Sequence, residues 1–214
     1  DTELTDEMQK VFNYLENQAI KPVFRNLLVA QFNMKATFLY LINREIQHAK
    51  EGKKACMILK MNGLEDEKMI KKLYDASQNG VSIELIVRGI CCLIPGKDYS
   101  KNIRVTRIVD SFLEHARVFV FYNNGDNDIY LSSADWMKRN LNHRIEVGFP
   151  VKNQHLKNEL LHILKLQLQD NTKARFLDEY HNNIPKTYKT GDKKIRAQPE
   201  TYYYIKQKQE QKSG

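Results

Sequence analysis

Residues Phe112–Pro150 read FLEHARVFVFYNNGDNDIYLSSADWMKRNLNHRIEVGFP. The runs RVFVFY and DIYL are β-branched and aromatic, and the turn between them carries Asn124-Gly125, a strong hairpin signal. The stretch therefore predicts strands over Arg117–Tyr122 and Asp128–Leu131, with a further strand over Arg144–Phe149. Strand alternation puts His115 and Arg117 on the same side. Arg offers a planar fork of donors suited to phosphate oxygens. His can act as nucleophile or as general acid and base near neutral pH. After the second strand come Ser133 and Asp135, then Arg139, Asn140, Arg144 and Glu146. A lone HxR is a weak signal. Its weight here comes from the many polar residues that interrupt apolar strands within one short stretch, a pattern that points to phosphoryl-transfer chemistry.

Upstream, Leu27–Ala30, Ala55–Lys60 and Val81–Val87 read as buried strands. Between them lie amphipathic helices from Met34 to about Lys50, through Phe38, Leu41, Ile42 and Ile46, and from Asp66 to Gln78. A nearly all-apolar third strand suits a parallel sheet covered on both faces, and the alternating order argues βαβ units. Ile103–Ile108 adds a strand and Gln154–Gln169 a helix. Residues Tyr180 to Gln198 are polar and read as a surface loop, and the tail from Pro199 as a helix fraying into KQKQEQKSG. At the other end, Thr5 reads as the N-cap of a helix through Met8, Val11, Phe12 and Leu15, with Asp6 and Glu7 in its first turn. The expected fold is α/β, a mixed sheet flanked by helices on both faces. Residues 1–26 are expected to form the tail of a preceding domain or a connector helix, and 27–214 a single domain. With no initiator Met, the chain reads as an excised fragment.

The chain has 214 residues, 42% of them hydrophobic, enough for one domain with a proper core. Its net charge of +8 and pI near 9.2 favour an anionic partner. The basic residues are scattered and lack an aromatic-interleaved strip, so RNA is the weaker reading of that charge. Cys56, Cys91 and Cys92 imply neither a disulfide framework nor a CxxC metal site, and reduced, buried thiols are expected. No apolar run approaches the ~20 residues that span a bilayer, and no signal peptide is visible. GKKACMILK contains GK without the phosphate-loop spacing. Asp135 and Glu146 are expected to orient His115 and the arginines rather than to form a metal pair. Trp136 reads as core, and His48, His143, His155, His162 and His181 carry no assigned role. Arg88-Gly89 follows a strand directly, where open α/β sheets bind ligands.

The series HxR, SSAD, RN and RIEV resembles the HxK…GSxN…R…E pattern of the phospholipase D superfamily, with Arg117 in the Lys position. More closely, the chain is similar to the C-terminal part of the long bacterial polyphosphate kinase family. The similarity runs through LIVRGICCLIPG (Leu85–Gly96), NIRVTRIVDSFLEHARVFVF (Asn102–Phe121), YLSSADWMKRNLNHRIEVGFP (Tyr130–Pro150) and KIRAQPETYYYIK (Lys194–Lys206), and also through LLVAQFN, KMNGLEDEKMI and LYDASQNGV. The resemblance implies a phospholipase-D-like fold and reversible transfer of the terminal phosphate of ATP to polyphosphate, with magnesium. It implies two similar halves facing each other. The His of the first half becomes phosphorylated, and His115 in the second assists as general acid at the leaving ADP oxygen. Arg88 matches a nucleotide-binding position. Arg88, His115, Arg117, Ser133, Asp135, Arg139, Asn140, Arg144 and Glu146 then form the ATP- and phosphate-binding set, and His115 and Arg117 the catalytic pair.

The first-half His motif, the family's magnesium-binding residues and its N-terminal domains are absent from these residues. The magnesium ligands are therefore expected outside the chain, which by itself is expected to be inactive. The full-length protein is expected to be a cytoplasmic homo-oligomer, peripherally associated with membrane, that binds no nucleic acid. Two alternatives stay open: a dimeric phospholipase-D-like phosphodiesterase or nuclease, which needs one motif per chain, and a basic polyanion-binding module.

Overall fold

The computed structural model describes residues 1–188 and 191–213. Residues 189 and 190 of the expected surface loop, and Gly214 at the end of the expected frayed tail, lie outside them. The elements run α1 (Thr2–Glu16), β1 (Leu28–Val29), α2 (Met34–Lys50), β2 (Cys56–Met61), α3 (Glu67–Gln78), β3 (Ser82–Val87), β4 (Ile103–Ile108), β5 (Arg117–Phe121), β6 (Asp128–Ser132), α4 (Lys138–Asn142), β7 (Val147–Pro150), α5 (Gln154–Gln169), β8 (Ala174–Leu177), β9 (Asn183–Pro185) and α6 (Ala197–Ser213).

The strands form one mixed sheet in the order β1-β7-β6-β5-β2-β3-β4-β8-β9. β2, β3 and β4 are parallel, and the remaining pairs are antiparallel. Strand alternation divides the core. Met57, Leu59, Met61, Leu85, Val87, Phe119 and Phe121 pack with Phe38, Ile42, Met69 and Leu73 of α2 and α3. Ile86, Val118, Val120 and Ile129 pack with Leu164 of α5 on the opposite face. This is the expected sheet with helices on both sides. Trp136 is fully buried, its ring stacked 5.2 Å from that of Phe119 and tilted 5.4 Å from that of Phe38.

Local signals explain most boundaries. Asp66 caps α3, its carboxylate accepting from Met69 N at 3.1 Å while Lys35 Nζ sits 2.7 Å away. Asn153 caps α5 through Leu156 N at 3.1 Å. Asn153→Ala should destabilise the chain by about 1 kcal/mol, the usual worth of an exposed cap. Urea unfolding checks this, and an unchanged midpoint would count against the cap. The Asn124-Gly125 hairpin is present, with Phe121 paired to Asp128. Its turn is longer than a two-residue one, and Asn123, Asn124 and Gly125 all have positive φ.

Several expectations are corrected. α1 starts at Thr2, and the Thr5 hydroxyl donates to the Thr2 carbonyl inside the helix, so Thr5 is not its N-cap. The expected strand over Arg144–Phe149 runs instead over Val147–Pro150, and Arg144 and Glu146 precede it. The expected loop Tyr180–Gln198 contains β9, an exposed edge strand on β8. It also contains the start of α6, where Ala197 N donates to the buried Asp170 carboxylate at 2.7 Å. α1 docks on the sheet edge through Val11, which packs with Phe24, Leu27 and Val29. The buried Glu7 carboxylate accepts the N–H groups of Arg25, Asn26 and Leu27. No helix among the described residues is long and apolar enough to cross a membrane.

Candidate active site

The topology brings the polar stretch to one edge. β2 and β3 end there, at Met61 and Val87. β5 runs against β2, so it begins there, with Val118 paired to Lys60. Arg117 also pairs with Ser132 at the end of β6, and Ser132 with Gly148 near the start of β7. The carboxyl ends of β2, β3 and β6 and the leading ends of β5 and β7 therefore share one rim, where ligands of open α/β sheets bind. Arg88, His115, Arg117, Ser133, Asp135, Arg144 and Glu146 all lie on this rim or in its loops.

Two hydrogen-bonded groups occupy it. In the first, Asp135 is buried (4% exposed). It accepts from Arg117 Nε at 3.2 Å and Nη2 at 2.8 Å, and from the backbone N–H groups of Asn62 at 2.6 Å and Gly63 at 3.0 Å. Burial pushes its carboxyl up. The Arg117 guanidinium and the two N–H groups outweigh burial and hold it below the usual range. Arg117 Nη1 donates to the His115 carbonyl at 2.9 Å, and among the described residues three of its five N–H groups are taken, leaving two for another acceptor. Arg88 Nε donates to Asn62 Oδ1 at 2.9 Å. Gly89 N donates to the Asn62 carbonyl at 2.8 Å, and a Cβ at Gly89 would stand 3.0 Å from that carbonyl oxygen, so the close approach of the two strand-end loops favours glycine.

The second group centres on Glu146. It accepts from Ser133 Oγ at 2.5 Å and Asn140 Nδ2 at 2.6 Å, and Arg144 Nη1 lies 3.9 Å away. Asn140 is buried, and Arg144 is half exposed. Arg139 is exposed on α4. His115 is exposed and lies two residues before β5, outside strand geometry, so alternation does not set its direction. His155 and His162 lie away from the rim on α5, against α6.

Asn62, Gly63 and Glu114 belong to this region, and the sequence reading passed over them. The available signal was KMNG at the end of β2, which mirrors VRG at the end of β3. Among the described residues, no three His, Cys, Asp or Glu gather as a metal site. The Asp135 oxygens are filled by Arg117 and backbone N–H groups, and those of Glu146 by Ser133 and Asn140. These residues do not fit a magnesium cage.

The mixed sheet between helices, with an exposed imidazole and several arginines on one rim, has a phospholipase-D-like fold. In fold it matches a phospholipase D family member, Nuc from Salmonella typhimurium, with a TM-score of 0.51 and 13% identity over 71% of this chain and 97% of that one. The chain belongs to the polyphosphate kinase family. The family profile described as "Polyphosphate kinase C-terminal domain 2" matches residues 27–198. The crystal structure of polyphosphate kinase from Porphyromonas gingivalis superimposes with a TM-score of 0.95 and 47% identity, over 99% of this chain and 32% of that one. A polyphosphate kinase of Vibrio parahaemolyticus is 43% identical over 96% of this chain. The chain spans 30% of that relative's length.

Proposed function

We propose that this chain is the C-terminal catalytic half of a polyphosphate kinase that reversibly moves the terminal phosphate of ATP onto polyphosphate. The observation that carries this reading is the rim itself: in a chain of this family, an exposed His115 shares one sheet rim with Arg88, Arg117 and Arg144. On this reading a His elsewhere in the longer protein carries the phosphoryl group, and His115 delivers a proton to the leaving ADP oxygen. Arg88, Arg139 and Arg144 offset phosphate charge, as pre-placed cations do in phosphoryl transfer. Arg117 spends two donors on Asp135 and one on the His115 carbonyl, so it both fixes the loop and offers its remaining N–H groups to phosphate. Ser133, Asn140 and Glu146 hold Arg144 in place.

Residues 1–26 serve as the connector from a preceding domain, and 27–214 as the catalytic domain. ATP, ADP and polyphosphate are its partners, and nucleic acid is not. Magnesium, where used, is held by residues outside this chain. The cytoplasm suits the three free thiols; burial pushes that of Cys91 up to about 11, which keeps it inert.

Equilibrium binding of ATP and tripolyphosphate to the chain tests the rim. Arg88→Ala and Arg144→Ala should each weaken binding about tenfold, the worth of one hydrogen bond to a charged group. Added salt should weaken binding to the unaltered chain. Equal affinities for variant and parent would remove the rim as the anion site.

A further inference from the structure

The loop carrying His115 is tied down by residues from three other elements. At its entrance the Asp110 carboxylate takes Arg196 Nε at 2.8 Å and Nη2 at 2.5 Å, and Nη2 also reaches Ser111 Oγ at 2.8 Å. Next, Gln198 pairs with the Phe112 backbone as a strand would: Phe112 N donates to its Oε1 at 3.0 Å, and its Nε2 donates to the Phe112 carbonyl at 2.8 Å. The same Nε2 donates to Glu114 Oε1 at 3.1 Å. Glu114 Oε2 accepts from Lys60 Nζ at 2.7 Å and Gln167 Nε2 at 2.8 Å, and Lys60 Nζ donates to Gln167 Oε1 at 2.9 Å. These groups border a groove of about 470 Å³ between β5, α5 and α6.

Two members occupy positions where packing alone calls for an apolar side chain. Lys60 lies two residues from Ile58 on the α5 face of β2 and is 7% exposed; Gln167 is 5% exposed between Leu164 and Leu168 of α5. Burying an ammonium and an amide is costly unless both are fully partnered. Here their partner is the carboxylate of Glu114, the residue before His115. An apolar pair would fill the same core without tying anything to the loop.

We propose that Lys60, Gln167 and Gln198 are positioning residues for His115, acting through Glu114 and the Phe112 backbone, and that α6 thereby belongs to the catalytic apparatus. The proposal rests on His115 acting in phosphoryl transfer. Geometry at a reacting group is costly to lose: a displacement of about 1 Å can cost 10²-fold in rate.

The test uses the full-length protein and a double-mutant cycle. Gln198→Ala should lower kcat for polyphosphate synthesis by about 10–100-fold while KM for ATP stays unchanged. In a His115→Ala background the same change should have no further effect, because the group it positions is gone. A purely structural role would slow both backgrounds equally, and that result overturns the proposal. So does an unaltered kcat in Gln198→Ala when His115→Ala is impaired. If His115→Ala itself keeps full activity, the functional reading fails, and the positioning role falls with it. Should Gln198→Ala lose its thermal transition, Lys60→Met, which keeps the unbranched apolar stem without the ammonium, is read against the same two outcomes.

Discussion

In the full-length protein, His115→Ala lowers polyphosphate synthesis from ATP by about 10²–10⁴-fold, the usual worth of a positioned general acid. ADP is a poor leaving group unless its departing oxygen is protonated or its charge is offset, and the arginines of the rim supply only the second. The fold survives the change. His115 is exposed, and its contact with the network is through its backbone carbonyl, which alanine retains. The variant should therefore keep the unfolding midpoint of the parent. On the proposed mechanism the 214-residue chain should by itself make no polyphosphate, because the His that carries the phosphoryl group would lie outside it. It should also leave phosphodiesters uncleaved, since Arg117 stands where that chemistry uses a Lys. Phosphodiester hydrolysis by the purified chain, lost on His115→Ala, would sink the kinase reading in favour of a dimeric phosphodiesterase.

Asp135→Ala destabilises the chain by about 3–5 kcal/mol, the range for removing one member of a buried ion pair. The loss is large because three partners are stranded at once: the Arg117 guanidinium and the N–H groups of Asn62 and Gly63. Urea unfolding followed by the fluorescence of neighbouring Trp136 measures it. A loss below about 1 kcal/mol, the level of an exposed pair, would mean that water reaches Arg117 freely. The pH dependence follows from the same contacts. The folded-state carboxyl lies below its ordinary value of about 3.9, so its contribution is complete above that pH and is lost as pH falls through the folded-state value. Between about pH 5 and pH 2 the parent should lose more stability than Asp135→Ala does.

The rim could be read in outline because the residues that build it cluster in Phe112–Pro150 and at strand ends. Arg88 was found as the polar residue directly after an apolar strand. Glu114, Gln167 and Gln198 were not found, because each is an ordinary polar residue until its partner is known, and those partners lie 53 to 107 positions apart for Glu114–Gln167 and Lys60–Gln167. Likewise β9 has all three residues exposed, so no alternation marks it. Its pairing comes from β8, a strand that the sequence reading also missed.

The sequence by itself determined the fold class, the two-sided sheet, the hairpin at Asn124-Gly125 and the nearness along the chain of the polar residues from His115 to Glu146. Each of these follows from local periodicity, turn chemistry or nearness along the chain. Only the tertiary structure decided which partner each polar group takes: Asp135 with Arg117 and the Asn62–Gly63 backbone, Glu146 with Ser133 and Asn140, Glu114 with Lys60 and Gln198. Those choices depend on which strand ends meet at one rim. A buried charge must be satisfied by whatever the sheet order brings within hydrogen-bond reach, and that order is set by the packing of the whole domain.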